Sequence, residues 1–151
     1  MPEEELIAER RRKVDELAAL GVPSYGVDFG PEATLGEALT RLTAFEREAG
    51  PAPDGGPPRE GPAVAVAGRV VQLRLQGGVC FAHVEDEEDR LQVWIPRDRV
   101  GPATWEVVRR LDLGDIVGVR GRLTRTRRGE PSVLADEVVL LVKALRPPPE
   151  K

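Results

Sequence analysis

The run from Ala63 to Val142 most constrains what this chain can become, because its apolar residues recur at the two-residue period of a β-strand. The pattern predicts strands over 63–75, 79–86, 90–95, 115–125 and 132–142. Gly77-Gly78, Glu87 to Asp89 and Arg128-Gly129 are the expected turns. Between the third and fourth runs, Pro102 to Leu111 changes to helical spacing. Leu113-Gly114-Asp115 and the isolated Gly118 and Gly121 suit a strand that bends around a barrel corner. No internal repeat is visible. The expected fold class is mainly β with helices added, α+β in the broad sense.

Three strands, a helix and two strands is the order of a five-stranded oligonucleotide/oligosaccharide-binding (OB) barrel. Ahead of it, residues 3–20 predict an amphipathic helix with Leu6, Ile7, Val14, Leu17 and Ala18 on one stripe, ended by Gly21 and Pro23. The Arg10-Arg11-Arg12-Lys13 run on this helix is expected to be a solvated face. A second short helix opens at Thr34, which forms a capping box with Glu37 and is followed by Leu35, Leu39, Leu42 and Phe45 on one face. From Gly50 to Pro62, nine of thirteen residues are Gly or Pro, a composition that predicts a flexible or extended linker. The expected organisation is a helical segment at 1–49, a linker at 50–62, a barrel at 63–146 and a tail at 147–151.

Composition removes several function classes. No apolar run approaches the about 18 residues of a membrane span, and the acidic start Met1-Pro2-Glu3-Glu4-Glu5 is unlike a secretory signal. The expected compartment is the cytosol, with no membrane partner. Cys80 is the only cysteine and His83 the only histidine, so neither an internal disulfide nor a four-ligand zinc site can form. Their odd spacing places them on opposite faces of a strand, which predicts a core cysteine beside a surface histidine and no nucleophile pair. Glu85 to Asp89 is acidic but lacks the spaced ligands and central glycine of a calcium loop, so it is expected to be a solvated turn. Trp94 and Trp105 are assigned to packing.

The net charge of −4 divides unevenly. Residues 1–62 hold 13 acids and 7 bases, and residues 63–146 hold 12 acids and 14 bases. Overall acidity disfavours indiscriminate nucleic-acid binding, while a local basic patch permits selective binding. On the predicted barrel, Arg74, Phe81 and Gln92 fall along one exposed face by alternation. A cation, a stacking ring and an amide together are what holding an unpaired base requires. By residue type alone, the core-aromatic reading of Phe81 comes first, Gln92 and Glu130 are surface polar residues, and Arg74 is a solvated strand residue.

A wider set of residues carries a resemblance. Val64-Ala-Val-Ala-Gly-Arg69, Phe81, Gln92, Leu113 to Gly121, Gly129-Glu130 and Leu141 to Lys151 together resemble the N-terminal anticodon-binding domain of bacterial class II lysyl-tRNA synthetases. The likeness runs from the first helix to the last residue and is weakest over 50–62. Phe81 and Gln92 are shared with aspartyl and asparaginyl domains, whereas Gly129-Glu130 and Lys143-Ala-Leu-Arg146 point to the lysyl branch. The chain departs from the family at Gln76-Gly77-Gly78, where a basic contact is missing. It departs again at Pro131, whose ring stiffens the approach to the last strand.

The resemblance implies roles for individual residues. Phe81 stacks on the central uridine of the lysine anticodon, Gln92 and Glu130 read its edge, and Arg74 holds it from the first strand; from the basic patch, Arg125, Arg127 or Arg128 is expected to join Arg74 in holding backbone. Uracil offers two carbonyl acceptors and one N–H donor, which an amide and a carboxylate can answer. It also implies lysine tRNA as partner, with a synthetase catalytic domain or a second copy of the chain as further ones. The class II catalytic motifs are absent from these residues, as are phosphate loops, triads and paired carboxylates. The chain alone is therefore expected not to be an enzyme and to need no cofactor, ATP and Mg²⁺ belonging to the catalytic part of a parent lysine–tRNA ligase. Two other readings remain at this stage: a synthetase-derived protein–protein interaction domain, and a general single-strand-binding OB domain.

Overall fold

The computed structural model describes residues 2–52 and 54–146, so the tail expected at 147–151 lies outside the described residues. Helices α1 (Glu3–Ala19) and α2 (Leu35–Ala49) precede strands β1 (Ala63–Gln76), β2 (Val79–Glu85) and β3 (Arg90–Pro96). Helix α3 (Arg97–Val108) then leads to β4 (Ile116–Arg125) and β5 (Pro131–Val142). The five strands close a barrel in the order β1-β2-β3-β5-β4. This is the expected OB architecture, and each strand end lies within a residue of its sequence prediction. Closure comes from β1, whose first half pairs with β4 and second half with β2, and from a short parallel pairing of β3 with β5.

A bulge in β1 decides which side chains reach the outer face. Val70 pairs with Val84 and Gln72 with His83, so Val71 is the extra residue. Before it, Val64, Val66 and Val70 point into the barrel; after it, Leu73 packs against the core while Gln72 and Arg74 are exposed. One inserted residue thus reverses the parity of the strand. Without it Arg74 would turn inward.

The helices share the barrel's core. Leu17 of α1 and Leu35, Ala38 and Leu42 of α2 are buried in the same cluster as Val66, Val84 and Leu123. Thr34 and Glu37 form the predicted reciprocal cap at 3.1 and 3.0 Å. Asp86 completes it from the β2–β3 turn, its Oδ2 accepting the Leu35 N–H at 3.0 Å. Its other oxygen accepts the N–H groups of Glu88 and Asp89, so the acidic loop is a built turn rather than a merely solvated one. From Arg59 the Gly/Pro segment lies along β4: Gly61 donates to the Leu123 carbonyl at 2.7 Å, and Leu123 to that of Pro62 at 2.9 Å. No helix of the described residues is long and apolar enough to cross a membrane.

Two expectations need correction. The Arg10–Lys13 run is not a wholly solvated face. Arg10 is buried and donates to the carbonyls of Leu113 and Ala144, and Lys13 pairs with Asp112 at 2.9 Å. The polar side of α1 covers the start of β4 and the end of β5, where open backbone carbonyls and carboxylates demand donors. Helix α3 begins at Arg97, five residues before its predicted start, because Gly101 takes φ 85° and breaks a first turn from the main helix at Pro102.

Candidate nucleic-acid interface

Register places two parallel rows of side chains on the outer face of the barrel. Arg74 of β1 lies opposite Phe81 of β2, and Phe81 opposite Trp94 of β3. One step along, Gln72, His83, Gln92 and Ser132 are successive partners across β1, β2, β3 and β5. The loop joining β4 to β5 rises beside both rows. Together they border an open cleft of about 590 Å³ lined by Arg74, Phe81, Gln92 and Trp94 from the strands and by Pro58, Thr126, Arg127, Arg128 and Glu130 from the segments beside them.

The floor is aromatic. Phe81 and Trp94 stack with centroids 6.1 Å apart and planes 15° from parallel, within the favourable range for an offset pair. The Arg74 guanidinium lies 5.2 Å from the Phe81 centroid, a cation–π contact that a flat ligand can share or replace. Trp94 is half-buried and faces the cleft, which corrects its assignment to packing alone. Trp105, on α3, is buried as expected.

Gln92 and Glu130 are held by one connected network. Ser132 is buried, and its hydroxyl hydrogen goes to the Glu130 carbonyl at 3.2 Å. That hydroxyl must therefore accept from Gln92, whose Nε2 lies 3.0 Å away, which settles the amide's orientation. Gln92 keeps its carbonyl and one N–H for a ligand. The backbone N–H of Glu130 is bound by the Thr126 hydroxyl at 3.1 Å, and its carbonyl also accepts from the Thr126 N–H at 3.0 Å. Gly129, at φ 88°, supplies the left-handed step that returns the chain to Glu130. Pro131 is the first residue of β5, where a missing N–H costs no ladder bond, and it confines Glu130 to extended backbone.

His83 is not a bystander on the surface. Its Nε2 lies 2.8 Å from Oε1 of Glu130. The expected opposition to Cys80 is real: Cys80 points into the core, where burial pushes its thiol up to about 11 and leaves it unreactive at neutral pH.

The structure brings together Arg74, Phe81, Gln92, Glu130, Arg127 and Arg128, and separates Arg125 from them. Arg125 grips Glu46 of α2 with two hydrogen bonds of 2.8 and 2.9 Å and donates to the Gly129 carbonyl at 2.8 Å. Those bonds hold the Glu46 carboxyl below the usual carboxylate range. Arg127 and Arg128 are exposed and form no ion pair among the described residues. Another hollow, of about 1070 Å³, is walled by Glu37 and Asp86 to Asp89 and is a poorer host for a phosphodiester. A third, of about 410 Å³, sets Glu46 and Asp54 beside Arg59, Arg125 and Arg127.

Residues 64–141 match the tRNA anticodon family, described as an OB-fold nucleic acid binding domain. The chain belongs to this family. Lysine–tRNA ligases resemble it over a greater length. That of Moorella thermoacetica is 42% identical over 149 residues, 99% of this chain and 28% of the relative. That of Dehalococcoides mccartyi is 36% identical over 151 residues, 100% of this chain and 29% of the relative. That of Methylobacillus flagellatus is 40% identical over 149 residues, again 99% and 28%. This anticodon-binding OB domain thus spans a little over a quarter of the length of the ligases it matches, and the matched part includes its two N-terminal helices. The likeness to the N-terminal domain of lysyl-tRNA synthetases, inferred from the residues, holds.

Proposed function

We propose that this domain holds the anticodon of lysine tRNA as part of, or as a derivative of, a cytosolic lysine–tRNA ligase, with its central uridine in the cleft over Phe81. Phe81 and Trp94 form the stacking floor, and Arg74 closes over the base or grips its phosphate. The free N–H of Gln92 donates to a uracil carbonyl, and the open oxygen of Glu130 accepts the uracil N3–H. Arg127 and Arg128 take flanking phosphates. On this proposal ATP and Mg²⁺ belong to a catalytic part outside these residues.

The observation that carries the proposal is the convergence of an amide and a carboxylate on one edge of an aromatic floor, in a chain whose relatives are named lysine–tRNA ligases. Titrating the chain with a lysine-tRNA anticodon stem-loop, and with one whose central uridine is cytidine, tests it. Cytidine presents an acceptor to Glu130 where uridine presents a donor, so the variant should bind roughly tenfold or more weakly. Equal affinities would overturn the proposal.

A further inference from the structure

We propose that His83 is a positioning residue for base reading: it fixes the Glu130 carboxylate and thereby sets the preference for uracil over cytosine. This deepens the anticodon proposal above and rests on it.

Glu130 stands at the end of a hairpin loop, on a side chain with several rotatable bonds and 45% of its surface open. Its backbone is pinned on both sides, by Thr126 and by Ser132, and Pro131 limits its torsions. Among the described residues one hydrogen bond restrains the carboxylate itself, the 2.8 Å bond to His83 Nε2. A carboxylate only accepts, so the ring nitrogen facing it carries the hydrogen. That bond commits Oε1 and leaves Oε2 as the outward acceptor.

His83 is well placed to impose this. It is two residues beyond Phe81 on β2 and directly opposite Gln92 on β3, so the amide and the carboxylate's anchor share one cross-strand row. It is itself confined, with Gln72, Arg74, Phe81 and Gln92 around it and 22% of its side chain exposed. A held carboxylate accepts from uracil N3–H and repels the lone pair at cytosine N3. A loose one can swing until it accepts instead from the cytosine amino group. Loss of His83 should therefore damage discrimination more than affinity.

The full chain, with Leu or Gln at position 83, tests this through the ratio of dissociation constants for stem-loops with central cytidine and central uridine. His83→Leu keeps bulk but removes the donor, and His83→Gln keeps an N–H within similar reach. The ratio should fall about fivefold or more in His83→Leu and return toward the wild-type value in His83→Gln. In a Glu130→Gln background, His83→Leu should change the ratio no further. A wild-type ratio in His83→Leu would overturn the inference. So would an equal effect of His83→Leu with or without Glu130, since packing alone would produce it. If the wild-type chain does not discriminate, the anticodon proposal itself has failed, and the positioning role falls with it.

Discussion

At the scale of single residues, Trp94 and Trp105 show how one side chain serves two ends. Trp94 backs Phe81 at the cleft, whereas Trp105 carries α3 into the core. Phe81→Ala removes a stacking partner worth about 1–3 kcal/mol, so RNA affinity should drop roughly 5- to 150-fold. Trp94→Ala removes its aromatic support, worth about 0.5–1.5 kcal/mol, and should lower affinity by a smaller factor, about 2- to 10-fold. Trp105→Ala should instead cost about 3–5 kcal/mol of stability and leave the affinity of the folded protein unchanged. Urea unfolding and RNA titration of the three variants separate these effects, and equal affinity losses would mean the site is misplaced. Alternation carried the signal for Trp94 and His83 alike. Trp94 is two residues beyond Gln92 and His83 two beyond Phe81, so each shares a face with a residue recognised from the sequence. Side-chain contacts across the β4–β5 loop leave no such periodic trace. The pairing of His83 with Glu130 was therefore legible only in three dimensions.

At the scale of elements, β1 was legible to within a residue because Pro62 and Gly77-Gly78 bracket its strand-like run, although its apolar positions change parity where it bulges. Val64, Val66 and Val70 occupy even positions, and Val71, Leu73 and Leu75 odd ones. The break of α3 was less legible, since Gly101-Pro102 fits a helix start as well as a kink inside one. The place of Arg125, away from the cleft, was illegible for a different reason. Its sequence neighbours Arg127 and Arg128 face the cleft, but strand geometry sends Arg125 to Glu46, where it ties α2 to β4 and to the hairpin loop. Arg125→Ala should accordingly lower stability by about 1 kcal/mol, a modest amount for a partly exposed pair, and leave the salt dependence of RNA binding unaltered. Arg128→Ala should do the reverse, reducing the slope of log affinity against log salt by about 0.7, as the loss of one phosphate contact to a single strand does. Melting curves and a salt series on both variants check the division. A changed slope in Arg125→Ala would return that residue to the RNA.

At the scale of the whole molecule, the proposed recognition cleft and a buried ionic network sit at opposite ends of the β4–β5 hairpin, with Thr126 following β4 and Asp115 preceding it. In the network Lys143 reaches Asp115 at 2.6 Å and Asp112 at 2.7 Å, and Lys13 of α1 reaches Asp112 at 2.9 Å. Burial pushes the Asp112 carboxyl up, but the two lysines outweigh it and leave the group below the usual carboxylate range. A carboxyl depressed by folding contributes stability that is complete above its unfolded value, near 4, and is lost as pH falls through its lower folded value. Asp112→Asn should therefore cost about 1–3 kcal/mol near neutral pH, because Lys143 and Lys13 each lose a charged partner. The gap to wild type should close as the solution is acidified below about pH 4, where the native aspartate is itself becoming protonated. Urea midpoints from neutral pH to about pH 2 measure this, and a gap that stays constant into acid would refute it. Because the strands between the two ends form one closed sheet, uridine-over-cytidine discrimination by the folded Asp112→Asn protein should match wild type. A shifted ratio would show that the docking of α1 is coupled to the cleft through the hairpin, and that the two ends of the barrel do not act independently.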